Sequence, residues 1–197
     1  MTWIVKVGVE TSAYLTQSEM ENNATEFYGY FNSKGFTIES ICGMLGNLQR
    51  ESTINPGLKQ TSSTSSGWGL IQWTPSSDLT DYANTYGVEW SLGEIQTQLM
   101  WDEIINGYGG QWTPKPALGY NYTGEEFSKL TDIEESCKAY LYERERAGNE
   151  ALTERLTYAN NWYEYLTGIT PPTPPTPPTP TKRKSMPVWM MCKSLFK

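Results

Sequence analysis

At the head of four candidate helices a Ser or Thr stands three positions ahead of a Glu: Thr16/Glu19, Ser91/Glu94, Thr123/Glu126 and Thr131/Glu134. At that spacing the hydroxyl accepts from the third helical N–H while the carboxylate reaches back to the cap's own N–H, so four helix starts are predicted. Apolar stripes at helical spacing accompany them. Met20, Ala24, Phe27, Tyr28 and Phe31 share one face until Gly35, and Thr37 heads a second helix with Ile38, Ile41, Cys42, Leu45 and Leu48 inward. Ser76 or Ser77 opens a third, with Leu79, Tyr82, Ala83 and Tyr86 inward and Gly87 as its stop. Asn149 precedes a last stripe, Leu152, Leu156, Ala159, Tyr163 and Leu166, that ends at Gly168. Only the alternation Trp3, Val5, Val7, Val9 and parts of 57–73 suggest strand. The expectation is an α+β domain, predominantly α-helical, with a small irregular or hairpin element between the second and third helices.

After Gly168 the chain changes character. Pro171-Pro-Thr-Pro-Pro-Thr-Pro-Pro-Thr-Pro180 lacks the N–H groups that helix and sheet need, and predicts an extended polyproline spacer. This divides the chain into a folded domain over 1–168, a linker over 169–181 and a short basic, apolar tail over 182–197. Five of the 15 basic residues and none of the 22 acids fall in that tail, so residues 1–181 carry ten against 22. A body this acidic is a poor partner for nucleic acid. Two readings of the tail stand level: an anchor on a partner or an anionic surface, or the stub of a second domain. No run approaches the roughly 18–20 apolar residues of a membrane span, and Lys6 interrupts the N-terminal apolar alternation where a signal peptide needs a long apolar core. Delivery by a route other than Sec is expected if the protein works outside a cell.

The chain contains no histidine. Ser-His-Asp and Cys-His hydrolases therefore drop out, and so do the usual catalytic zinc sites. Neither a metal nor a cofactor is expected. Cys42, Cys137 and Cys192 are too few and too dispersed for a disulfide framework, and the first two sit in helical apolar runs as buried thiols. Carboxylates, Tyr, Lys and Cys are left as acid–base groups.

Among these, Glu51 has the most distinctive setting. It closes the second helix, after Cys42-Gly-Met-Leu-Gly-Asn-Leu-Gln-Arg, and is followed by Ser52-Thr-Ile-Asn-Pro-Gly57 and then Ser66-Gly-Trp-Gly-Leu-Ile-Gln-Trp73. At 100° per residue Glu51 falls at the border of the helix's inner face. The exposed carbonyls of a helix C-terminus repel a carboxylate, and partial burial acts in the same direction, so a proton-holding glutamate is expected there. An isolated glutamate would read as a solvated residue at a frayed helix end; the Gly/aromatic segment sets this one apart.

Glu51-Ser52 with Asn55-Pro56 and Ser66–Gln72 resembles the catalytic signature of goose-type lysozymes and soluble lytic transglycosylases. It is more similar still to the lysozyme-like wall-degrading domains of tailed-phage lysins and tail-tip proteins, through Gly43-Met-Leu-Gly-Asn47, Gln72-Trp-Thr-Pro75 and Tyr142-Glu-Arg144. The resemblance covers roughly residues 12–168. It implies a lysozyme-like fold and cleavage of the β-1,4 bond between N-acetylmuramic acid and N-acetylglucosamine, with bacterial peptidoglycan as partner. By the same resemblance Glu51 is the general acid, Ser66 and Gln72 line the cleft, and Trp73 offers an aromatic face to a sugar ring. It also implies action on the cell wall from a phage tail, where the C-terminal tail would meet other virion proteins, or after release at host lysis.

The second carboxylate is open at this level. Asp78 and Asp81 follow the Gly/aromatic segment but equally suit the first turn of a helix. Glu143 serves either as a second, substrate-side acid or as an ion-pair partner of Arg144 or Arg146. Trp68 and Trp73 equally suit a core. Hydrolysis, lytic transglycosylation to 1,6-anhydro ends, and a non-catalytic wall-binding or virion structural role all remain compatible with the residues.

Overall fold

The computed structural model describes residues 2–60, 66–145 and 151–168. The predicted linker, the basic tail and Cys192 lie outside them. Helix α1 (Gln17–Ser33) starts as the sequence predicts: Glu19 N–H donates to Thr16 Oγ1 and Thr16 N–H to Glu19 Oε2. Its apolar stripe is buried, and Phe27 and Phe31 begin a string of rings that passes through Phe36 to Phe127 and Trp112. Each fully buried Phe contributes roughly 1.5–3 kcal/mol of transfer free energy.

Helix α2 (Ile38–Ser52) is the centre of the fold. Thr37 caps it through Ser40 N–H, and every residue from Ser40 to Leu48 is buried. It packs against α1, α6 (Ile133–Tyr140) and α7 (Leu152–Leu166). Burial on all sides explains why α2 carries small residues as well as large ones. A Cβ on Gly46 would lie 2.4 Å from the Arg155 carbonyl and 2.8 Å from Ala159 Cβ, so only glycine lets α7 come this close. That approach brings Arg155 to Glu51.

The strand content is smaller than the alternation of Trp3 to Val9 suggests. Only Gly8–Val9 (β1) pairs, in parallel, with Leu58–Lys59 (β2). The rest of that stretch is held by side chains instead: Asn23 bonds both Ile4 N–H and Ile4 C=O, and Asn55 does the same at Lys6. Between α2 and α3 (Ser77–Tyr86) the expected irregular element appears as bridges from Lys59 to Trp68 and from Trp68 to Trp73.

Helix α4 (Gly93–Ile105) follows, then the single turn α5 (Gly124–Phe127), which has the predicted Thr123/Glu126 capping box. Two caps differ from expectation. Ser91 does not cap α4, whose N-cap is Leu92 with no side-chain bond, because the Trp3 indole packs against Gly93 and the helix starts there. Asp132 rather than Thr131 caps α6, accepting from Glu135 N–H at 2.8 Å; its charge also suits the positive helix terminus. The buried face of α7 differs too. Arg155, Ala159, Trp162 and Leu166 face inward, where Leu156 and Tyr163 were expected beside Ala159 and Leu166. The helix is turned by the polar pull on Arg155, described below. Cys42 and Cys137 are buried free thiols as expected, and burial pushes both up to about 12. Among the described residues no helix is long and apolar enough to cross a membrane.

Candidate active site

Glu51 stands in the last turn of α2, and the chain leaves that helix through two left-handed residues, Thr53 and Ile54. Neither conformation is free for a β-branched residue, so the surroundings must hold them. Leu15 N–H donates to Thr53 Oγ1, and Ser52 Oγ donates to Leu70 C=O at 2.7 Å. Asn55, fully buried, donates to Lys6 C=O and Ala13 C=O and accepts from Gly57 N–H. The Gly/aromatic segment is thereby fastened to the end of Glu51's helix.

Within that segment, Trp68 and Trp73 exchange both backbone hydrogen bonds across a tight turn, with Gly69 at φ 80° and Gln72 at φ 55°. A Cβ on Gly69 would meet Gln96 Oε1 at 2.5 Å. The glycine therefore admits a buried side chain of the protein rather than a ligand. Gln96 accepts from Leu70 N–H and donates to Pro56 C=O and Trp90 C=O, each at 2.8 Å. This one side chain ties three loops together.

Beside the turn lies a cleft of about 260 Å³, lined by Glu51, Gln72, Trp73, Asp78, Arg144 and Glu145 among others. Two further depressions continue it. One, of about 360 Å³, shares Glu51, Gln60 and Gln72 with the cleft; the other, of about 210 Å³, shares Asp78 and Gln111. A groove thus runs to both sides of Glu51.

Glu51 Oε1 accepts from Arg155 Nη2 at 2.5 Å, and Arg155 Nη1 donates to Asn47 Oδ1 at 3.0 Å. Arg155 is 4% exposed, so the guanidinium fixes the carboxyl group from the buried side and leaves its other side to the cleft. Glu145 enters from the π-helical turn Leu141–Glu145 that follows α6. Its Oε1 is buried without a hydrogen-bond partner, and burial first, then the charge of Glu51, pushes its carboxyl up to about 8. Arg144 binds Glu103 through Nε at 2.8 Å and Nη2 at 3.0 Å, and Trp73 Nε1 donates to the same carboxylate at 2.9 Å. Glu103 is raised mainly by its burial, against the pull of Arg144.

The structure brings Glu51, Gln72, Trp73 and Asp78 to the cleft. Gln72 Nε2 donates to Gly69 C=O, which leaves its Oε1 buried and unpartnered at the cleft edge. Trp73 is only 2% exposed, so it builds the cleft floor rather than an open stacking face. Ser66 is not among the residues lining the cleft; its Oγ accepts from Trp68 Nε1 at 3.2 Å. Lys59 Nζ covers the Trp68 ring at 3.8 Å. Glu143 stays out of the cleft. It is fully buried, accepts from Tyr122 N–H at 2.8 Å, and burial pushes it up to about 7. Of the two arginines offered as ion-pair partners, Arg144 turns to Glu103 instead, and Arg146 lies outside the described residues. Among the described residues no three of His, Cys, Asp and Glu gather as a metal site.

Sequence reasoning missed Arg155, Glu145 and Gln96. An arginine at a stripe position of α7 was the one available signal for the first. The other two carry no local mark.

A profile of the phage tail lysozyme family matches residues 22–166. The chain is also 38% identical over 161 residues to a protein described as Morphogenesis protein 1 of Bacillus phage B103; the match covers 80% of this chain and 42% of that protein. The chain therefore spans under half the length of that relative.

Proposed function

The chain belongs to the phage tail lysozyme family, and from that premise we propose that it is a peptidoglycan-degrading muramidase. Glu51 is its general acid, acting on the β-1,4 bond between N-acetylmuramic acid and N-acetylglucosamine. The observation that carries this reading is the groove running to both sides of a carboxyl group that a buried arginine holds in place. In a chain without histidine, carboxyls are the fitting acids for such a cleft.

Glu51 gives its proton to the glycosidic oxygen as the C1–O bond breaks, and the electron pair of that bond leaves with the oxygen. The resulting carboxylate meets the Arg155 guanidinium, so the charge formed in the step has a partner already in position. Water then adds to C1 and returns a proton to the carboxylate. Gln72 Oε1 offers an acceptor to a sugar hydroxyl or acetamido N–H entering the cleft. Work in the phage tail, on the wall of the bacterium being entered, suits the family and the relative's name.

Mass analysis of muropeptides after digestion of purified walls tests the reaction. Reducing ends carrying one added water are expected. Anhydro ends, lighter by one water, would replace hydrolysis by transglycosylation, and uncut glycan with tight wall binding would replace both by a structural role.

A further inference from the structure

Six large apolar or aromatic residues are strongly exposed among the described residues: Val7, Val9, Tyr14, Leu92, Tyr108 and Leu118. Only two of them are aromatic, and both line the groove, one in each depression flanking the central cleft. Tyr14 is 46% exposed and shares its depression with Arg50, Lys59 and Glu51; Tyr108 is 44% exposed and shares its own with Asp78 and Asp81.

Neither ring hangs on a loose segment. Tyr14 is flanked by Ala13, whose carbonyl accepts from Asn55, and by Leu15, whose N–H donates to Thr53. Those partners belong to the same loop that ends Glu51's helix, so Tyr14 is positioned relative to Glu51. Tyr108 sits on the 3-10 turn Tyr108–Gly110 after α4, with its ring edge-on to Tyr82 at 5.2 Å. Gln111 ties that turn to α3 through Asp78 at 3.2 Å. An exposed ring that the fold holds still loses little conformational entropy when a ligand covers it, and the apolar face of a pyranose matches it in size and character.

We propose that Tyr14 and Tyr108 are sugar-stacking platforms at the two ends of one binding groove, holding an extended amino-sugar polymer across Glu51. The inference rests on the glycan-cleaving reading above and takes over the stacking role that the buried Trp73 leaves vacant. The polymer is cut at internal bonds, because bound rings lie on both sides of the acid. Asp78 and Asp81 accept from sugar hydroxyls at the Tyr108 end, and Arg50 and Lys59 donate to sugar oxygens at the Tyr14 end.

The test uses the full chain with Tyr14→Ala, Tyr108→Ala, their Phe counterparts, and Leu118→Ala as an exposed control outside the groove. Peptide-free murein glycans of graded length serve as substrates. Each Ala variant should raise KM about tenfold on long glycans, equivalent to about 1.4 kcal/mol. The loss should grow with glycan length, the Phe variants should keep most of the wild-type affinity, and Leu118→Ala should behave as wild type. Equal losses at every length, or no loss, would overturn the proposal. Binding of the same glycans to the Glu51→Gln protein separates it from the parent reading. If wild type cuts nothing yet binding to Glu51→Gln still depends on both rings, the muramidase reading fails and the groove stands. Cutting that is indifferent to both rings has the opposite meaning.

Discussion

Arg144→Met removes the two charge-assisted bonds that hold Glu103, leaving a carboxylate whose side chain is 1% exposed with only the Trp73 indole N–H as partner. Methionine fills most of the arginine stem's volume, so the loss is chiefly electrostatic. Breaking a buried pair from one side costs about 3–5 kcal/mol. In a domain of this size that corresponds to a fall in Tm of about 6–20 °C. The cost depends on pH in a fixed direction. Burial already raises Glu103, and removing Arg144 deletes the group that opposes the rise, so Glu103 takes up a proton more readily. Protonation relieves the unpaired charge, and the variant is therefore less damaged at pH 5 than at pH 8. Urea unfolding followed by circular dichroism at both pH values measures this. Glu103→Gln in the same chain keeps an acceptor for Trp73 and removes the charge, so the double variant should recover much of the loss. A cost below about 1 kcal/mol, or a double variant less stable than Arg144→Met alone, would refute the assignment of this pair as the support of the cleft floor.

Two further outcomes follow from the same geometry. Asn55→Ala leaves Lys6 C=O, Ala13 C=O and Gly57 N–H without their bonds, and should cost about 2–4 kcal/mol by urea unfolding and weaken wall clearing with it; a loss below about 0.5 kcal/mol would count against Asn55 as the organiser of this loop. Glu143 and Glu145 lie at about 7 and about 8 against an ordinary 4.5, so the folded state holds their protons more tightly than the unfolded chain. Their contribution is complete below the unfolded value and fades as pH rises through the folded values, so Tm should fall between pH 5 and pH 8. Glu143→Gln and Glu145→Gln should each flatten that fall in scanning calorimetry, and an unchanged slope in both would contradict the burial of these carboxyls.

Local signals in the sequence carried the helices well. The Thr16, Thr37 and Thr123 caps operate through contacts within three or four residues, and such contacts can be read without knowing the tertiary fold. Ser91 failed as a cap because Trp3, nearly ninety residues away in sequence, occupies the start of its helix. The same division runs through the site. Glu51 and Gln72 sit in a dense local motif, and the structure brings them to one cleft. Arg155 reaches Glu51, and Glu145 reaches that cleft, across about a hundred residues, and only the arginine's place on the α7 stripe hints at either destination. Trp73 was ambiguous because an indole serves a core and a sugar face equally well; its burial follows from the Glu103 acceptor, which sequence cannot place.

Glu51→Gln is the most direct test of the account. The amide keeps the side chain's size and an oxygen to accept from Arg155, so the protein should still fold, with a lowered Tm because the buried guanidinium loses its counter-charge. What it lacks is the transferable proton, and removing a general acid costs about 10²–10⁴-fold in rate. Clearing of purified cell-wall suspensions by the folded variant should fall within or below that range. Clearing at close to the wild-type rate, by protein shown to be folded, would contradict the central claim that Glu51 performs the acid chemistry of this cleft.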